Sequence, residues 1–173
     1  SIEKGKEIHA IITQRALETN LLVGNALIDM YASCGLICKA QEVFDKLLLP
    51  DIISWTSLLS GLVKHGCAEE AVDCFEQMQL KDLILDALVY VCVLKACGII
   101  GAIEKGQILH AEITRRGLEV DLVVGNSLID IYANCGMLME ASEVFWHLLV
   151  RDIVSYTALL SGYAQSGESE GVL

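Results

Sequence analysis

A handful of residues in this 173-residue chain have the right types and spacing to do chemistry. His110-Ala111-Glu112 spells the H-x-E half of a zinc deaminase signature, in which histidine ligates the metal and glutamate moves protons. The P-C-x-x-C half is absent, and the matching stretch His9-Ala10-Ile11 breaks the motif, so an ordinary helix segment is expected. Cys34-x3-Cys38 and Cys92-x4-Cys97 are loosely spaced for zinc, which takes tight pairs matched by a second pair. Core packing of small sulfur side chains is the expected role, including for Cys34 and Cys135 beside their turn glycines. No nucleophile–base–acid triad, phosphate loop or paired carboxylates appear. These residues point to no catalytic site, metal or cofactor. What remains is a polar series: Asp51, Asp86, Asp121 and Asp152, with Asn25, Thr56, Asn126 and Thr157. The acids could simply favour helix N-termini, as could the asparagines. Their regular recurrence instead suggests a surface that contacts a ligand.

The recurrence comes from a repeat. Ile2-Glu3-Lys4-Gly5 returns as Ile103-Glu104-Lys105-Gly106, Val23-Gly24-Asn25 as Val124-Gly125-Asn126, and Leu58-Leu59-Ser60-Gly61 as Leu159-Leu160-Ser161-Gly162. The offset is 101 throughout, without a gap, and roughly half the positions of 1–72 match 102–173. Solenoid units run about 20–50 residues, so smaller units must lie inside this period. The four aspartates close segments 21–51, 52–86, 87–121 and 122–152, of 31, 35, 35 and 31 residues. Partial units occupy 1–20 and 153–173.

Each unit reads as helix, glycine turn, helix. Trp55, Leu58, Leu59, Leu62 and Val63 keep helical spacing up to Gly66, and Ala71, Val72, Phe75 and Met78 resume it. Leu128, Ile129, Ile131 and Tyr132 lead to Gly136, followed by Ala141, Val144, Phe145 and Leu148. Short turns make antiparallel hairpins, and one hairpin cannot bury its apolar face alone. The expected fold is all-α, a single array of stacked hairpins in an α-solenoid. Trp55 and Tyr156 follow the core spacing, so a core role is expected for both.

Composition agrees. Hydrophobic residues make up 54% of the chain and mean hydropathy is +0.52, yet charges and glycines interrupt every apolar run. No membrane span is expected. The lone proline, Pro50, argues against linkers. The seven cysteines, odd in number and set within helical patterns, are expected to be buried free thiols in a reducing compartment. A net charge of −11 runs against non-specific nucleic-acid binding, which uses clustered Lys and Arg.

At these residues the chain resembles the pentatricopeptide repeat proteins of the plant organelle class, which alternate standard, long and short motifs. Segment 52–86, beginning IISWTSLLSGLVKHG, resembles the standard motif. Segment 87–121, with VLKACGIIGAIEKGQILHA, resembles the long one; VGNALIDMYASCG and VGNSLIDIYANCG mark 21–51 and 122–152 as short ones. The resemblance covers the whole chain. It implies a right-handed superhelix whose first helices line the concave face and bind single-stranded RNA, one base per repeat. It further implies a role in organelle RNA editing or other RNA processing, in a mitochondrion or chloroplast.

In the family, the fifth and last residues of a motif select the base and the second residue sandwiches its plane. Carried over, Asn25 with Asp51 favours U, Thr56 with Asp86 favours G, Val91 with Asp121 is permissive, and Asn126 with Asp152 favours U. Thr157, lacking its final partner, is expected to take a purine. The sandwiching residues are Leu22, Ile53, Leu88, Val123 and Val154. The reading order is 5′-U-G-N-U-purine-3′. The family's phosphate-facing lysine survives only as Lys64, its other positions holding Ser33, Ile99, Asn134 and Gln165. Weak RNA binding with a shallow salt dependence follows.

The competing reading is a protein-binding scaffold, with segment 87–121 docking RNA editing cofactor proteins. A tetratricopeptide array is excluded by the uneven period and the missing W-x2-L-G-x2-Y cue. No targeting segment is visible, and a start at Ser1 suggests a piece of a longer protein whose cut repeats self-associate.

Overall fold

The computed structural model describes residues 2–81 and 83–167. Among them are ten α-helices and no strand. They are α1 (Ile2–Gln14), α2 (Leu21–Ser33), α3 (Ile37–Lys46), α4 (Ile52–Lys64), α5 (Ala68–Gln79), α6 (Ala87–Ile100), α7 (Ile103–Arg115), α8 (Leu122–Asn134), α9 (Leu138–His147) and α10 (Ile153–Ser166). They form two compact units, residues 1–84 and 85–173. No described helix is long and apolar enough to cross a membrane.

One device ends most of the first helices and starts the second. At the close of α4, the Gly66 N–H bonds to the Val63 carbonyl (3.2 Å) and the Cys67 N–H reaches back to Leu62 (2.9 Å). At the close of α8, Gly136 bonds to Ala133 (3.1 Å) and Met137 to Tyr132 (2.9 Å). Both glycines have left-handed φ, +78° and +74°, which strains any side-chain-bearing residue. The chain re-enters a helix at once, so α5 and α9 need no side-chain cap.

Helices α2, α4, α6, α8 and α10 start differently. Their N-caps are Asn20, Asp51, Asp86, Asp121 and Asp152, each accepting a backbone N–H from the first turn. The repeating acids are therefore true caps, because a carboxylate there satisfies an otherwise unpaired amide and suits the helix dipole. Asn25 and Asn126 cap nothing: they lie in the second turns of α2 and α8.

Within the first unit α2 packs on α3 and α4, and within the second α8 packs on α6, α9 and α10. The apolar faces meet at Ile28, Leu58, Leu59 and Met78 in one unit, and at Leu94, Ile113, Leu128 and Ile129 in the other, all essentially buried. Small residues let the first helices approach closely. A Cβ at Gly61 would stand 2.5 Å from Ala32 Cβ, and one at Gly162 2.6 Å from Ala133 Cβ.

Two expectations need correction. Cys34 and Cys38 are exposed and Cys135 is only half-buried: Cys34 and Cys135 cap the ends of α2 and α8 at the hairpin turn, and Cys38 lies in the first turn of α3. Cys74, Cys92 and Cys97 are buried, and all seven thiols are free. Trp55 is buried against Phe44, ring centroids 4.6 Å apart, but Tyr156 is exposed. Helix α5 follows α4 and helps cover Trp55, whereas α10 is the last described helix.

Candidate nucleic-acid interface

The same polar network occurs once in each unit. Asn25 on α2 donates its amide Nδ2–H to Asp51 Oδ1 (3.1 Å) and accepts the Ser54 hydroxyl at its Oδ1 (2.5 Å). Asn126 on α8 does likewise with Asp152 (3.0 Å) and Ser155 (2.6 Å). Ser54 and Ser155 are fully buried, and each exchanges a capping box with its aspartate. The backbone N–H of each serine reaches the carboxylate at 2.9 Å. Each site therefore combines a helix of one repeat with the cap and first turn of the next.

The surroundings keep both acids ionised. Burial works against the Asp51 carboxylate, but the Ser54 N–H, the Asn25 amide, the Ser54 hydroxyl and the Ile53 N–H outweigh it and hold its pKa below the usual range. For Asp152 the Ser155 N–H is the largest influence and the direction is again downward.

In the second unit this network opens onto a cleft of about 510 Å³. Asn126 and Asp152 form part of its wall, together with Val123 and Val154. All five candidate sandwiching residues present large apolar side chains to solvent: Leu22 is 78% exposed, Ile53 57%, Leu88 52%, Val123 60% and Val154 54%. Isolated exposed aliphatics are ordinary, and here they recur at the second position of each segment. By contrast Asn25 and Asn126 are only 7% and 8% exposed, and their amides are held by the bonds to the aspartates and serines.

The other candidates fall into place unevenly. Val91 borders the cleft and is buried, with no hydrogen-bonding group in its side chain. Asp121 accepts the N–H groups of Val123 (3.0 Å) and Val124 (3.1 Å), and the Val91 side chain has no group that could hydrogen-bond to it. Asp86 caps α6 through the Val89 N–H (3.1 Å). Thr56 donates its hydroxyl to the Ile52 carbonyl (2.7 Å) and Thr157 to that of Val154 (3.0 Å), which leaves their oxygen lone pairs to accept. Lys64 is the exposed last residue of α4.

Three residues of this region escaped the sequence reading. Ser54 and Ser155 were visible as D-x-x-S pairs at Asp51 and Asp152, a reversed capping-box signal. Lys95 borders the cleft beside Asp130, and its position four residues after Val91 puts it on the same helix face. The deaminase-like segment is structural: His110 Nδ1 pairs with the Tyr132 hydroxyl (2.9 Å), and Glu112 accepts from Tyr90 (2.8 Å) and Arg116 Nε (3.0 Å). Among the described residues no group of histidine, cysteine and carboxylate could hold a metal.

An all-helical array of capped hairpins with a polar network recurring at its first helices defines a helical-repeat protein. The PPR repeat family model matches residues 50–99, and the PPR repeat model matches 25–49, 126–153 and 154–173. The chain belongs to the pentatricopeptide repeat family. It is 37% identical over 97% of its length to the chloroplastic pentatricopeptide repeat-containing protein At4g18520 of Arabidopsis thaliana, and 36% identical over 99% to the mitochondrial At3g09040 of the same plant. It spans 27% and 17% of those relatives. Among solved structures it is similar to the pentatricopeptide repeat protein PPR10 from maize, with 23% identity, a TM-score of 0.50, and coverage of 96% of this chain and 29% of that one. PPR10 in complex with an 18-nt psaJ RNA element gives a TM-score of 0.51, covering 97% and 31%. These likenesses establish the solenoid fold.

Proposed function

We propose that this chain binds single-stranded RNA and reads one base per repeat, with Asn25–Asp51, Thr56–Asp86, Val91–Asp121 and Asn126–Asp152 selecting and the apolar row Leu22, Ile53, Leu88, Val123 and Val154 gripping the base planes. The observation that carries this is the Asn126–Asp152 pair in the wall of a cleft flanked by two exposed valines. A flat ring entering between Val123 and Val154 gains apolar contact on both faces while its edge meets the amide.

The hydrogen-bond states support the base choices. Asn126 has one Nδ2 proton bonded to Asp152 and one carbonyl lone pair taken by Ser155, so its second amide proton is its free donor. That donor suits the carbonyl acceptor of uracil and meets the amino group of cytosine badly. Thr56, its proton already given to Ile52, accepts, which suits the N–H groups on the guanine edge. Val91 offers no polar choice, so its repeat takes any base. The order is 5′-U-G-N-U-purine-3′, with Lys64 facing phosphate. The maize neighbour solved with an RNA element supports RNA as the ligand class. A role in organelle RNA editing or other RNA processing is part of the same proposal, and the chloroplastic and mitochondrial relatives support the compartment.

The test is binding of a labelled UGAUG RNA against one with U and G exchanged, at low salt. Tighter binding of the first is expected, and Thr56→Asn should move the second preference from G to U. Unchanged selectivity in that variant would refute the code. With a net charge of −11, affinity should fall only shallowly with salt. Failure to bind either RNA would favour a protein-docking scaffold instead.

A further inference from the structure

We infer that Ser54 and Ser155, which sit in the repeat after the one that reads, are positioning residues that make Asn25 and Asn126 choose uracil over cytosine. The inference rests on the base-reading proposal above.

The two ends of an asparagine amide are nearly equal in shape but opposite in hydrogen bonding. Base choice therefore depends on which end faces the ligand. An ionised aspartate only accepts, so Asp51 draws the Nδ2 end of Asn25 toward itself (3.1 Å). That contact alone leaves the carbonyl end without a partner in a nearly buried side chain. Ser54 supplies one: its hydroxyl lies 2.5 Å from Asn25 Oδ1 and 3.0 Å from Asp51 Oδ1, so the amide carbonyl is the nearer acceptor. Its oxygen is oriented in turn by the Asp51 N–H at 3.2 Å. With one carbonyl lone pair held inward by Ser54, the Asn25 amide is fixed in orientation and keeps a free Nδ2 proton to donate. Uracil offers an acceptor on its pairing edge where cytosine offers an amino donor, so the serine helps create the distinction. The second unit repeats the arrangement with Ser155 at 2.6 Å from Asn126 Oδ1, 3.0 Å from Asp152 Oδ1, and 3.1 Å from the Asp152 nitrogen.

The remaining repeats provide the contrast. After Asp86 and Asp121 the third helical residue is Val89 or Val124, neither with a hydroxyl, and the fifth residue of the preceding segment is Thr56 or Val91, neither with an amide to orient. The serine is present where the asparagine is.

The experiment measures binding of the full chain to UGAUG and UGACG RNAs, which differ only at the base assigned to Asn126. Ser155→Ala should lower the preference for U over C about three- to tenfold, the worth of a typical net hydrogen bond, and leave the choice at the Thr56 position unchanged. A uniform loss of affinity for both RNAs, tracking a lower melting temperature, would show a merely structural serine and overturn the inference. Unchanged U-over-C preference in a folded S155A protein would overturn it too, while base reading stood. Asn126→Thr is the control for the underlying reading: if it leaves the preference untouched, base reading fails and this inference with it. Should S155A not fold, the gain-of-function pair decides. Val91→Asn with Val124→Ser should prefer U over C more strongly than Val91→Asn alone, and equal preference in the two would overturn the inference.

Discussion

Helix α8 has a first-helix neighbour on either side, α6 and α10, and the two junctions differ in kind. At the α10 junction Gly162 leaves so little room that an added Cβ would stand 2.6 Å from Ala133 Cβ and 3.1 Å from its backbone Cα. The Asn126–Asp152–Ser155 network ties the same two helices together near their N-terminal ends. At the α6 junction Gly98 has only Ile131 nearby, at 3.9 Å, and Val91 offers no polar link. One backbone plan thus yields a tight, hydrogen-bonded junction and a looser, apolar one. The lesson is that an oriented polar site needs more than a polar residue at the fifth position. It needs the following helix brought close enough to orient that residue.

The largest expected effect breaks the tight junction. Gly162→Ala must push against a neighbouring backbone, and overpacking of this sort costs about 1–3 kcal/mol. Gly98→Ala meets only ordinary van der Waals contact with Ile131 and gains helix propensity, so it should be neutral or stabilising by up to about 1 kcal/mol. Chemical denaturation of the two variants checks this; equal midpoints would remove the claimed difference between the junctions. Next, Asn126→Val makes the reading position of the tight junction like that of the loose one. Its preference for U should vanish, a loss of about tenfold in U-over-C discrimination, as expected for a polar group that reads a base edge. Fluorescence anisotropy with UGAUG and UGACG decides, and a retained preference would mean that Asn126 does not read that base. A smaller change runs the other way. Val91→Asn should give the permissive repeat a U preference of only about threefold, because Val124 supplies no hydroxyl to hold the amide. A tenfold preference from this single change would deny that the following helix contributes.

Much of this arrangement was legible in the sequence. The 3.6-residue spacing of Trp55, Leu58, Leu59 and Leu62 placed a buried helix face, and Gly66 and Gly136 marked the turns. The 101-residue duplication aligned Asn25 with Asn126 and Asp51 with Asp152, and the structure brings each pair to hydrogen-bonding distance. What stayed hidden depended on contacts between helices. The link of Ser54 and Ser155 to the asparagines did not show because Asn25 and Asn126 lie 29 positions earlier in the chain. Burial of Cys34 and Cys38 was misjudged because helical periodicity says little about a hairpin tip. The outer face was also out of reach. His9 bonds to Tyr31 (2.7 Å) and Glu18 (3.1 Å), and Glu18 also takes Thr13 (2.8 Å) and Lys46 (3.0 Å). In the second unit His147 replaces Lys46 at the aligned position and bonds to the Glu143 carbonyl instead (2.7 Å).

That replacement sharpens the comparison in its least energetic respect, the acid response of the second unit. Burial pushes the His110 imidazole below its ordinary pKa; Glu119 and Glu143 pull it back, and His147 opposes them. The ring also pairs with Tyr132 and borders a small cleft with Thr114. A histidine depressed in the folded state is protonated more readily in the unfolded chain, near pH 6.5. Its contribution is therefore fully present above that value and is lost as pH falls from there through the folded pKa. The depressed carboxylates of Asp51 and Asp152 act in a separate window, since their contribution persists until pH falls below about 4. Melting curves at pH 7 and pH 5 should show a modest loss in the native chain and a smaller one in His110→Gln, which keeps a polar group toward Tyr132 but cannot titrate. An equal loss in both would place the acid sensitivity elsewhere than at His110.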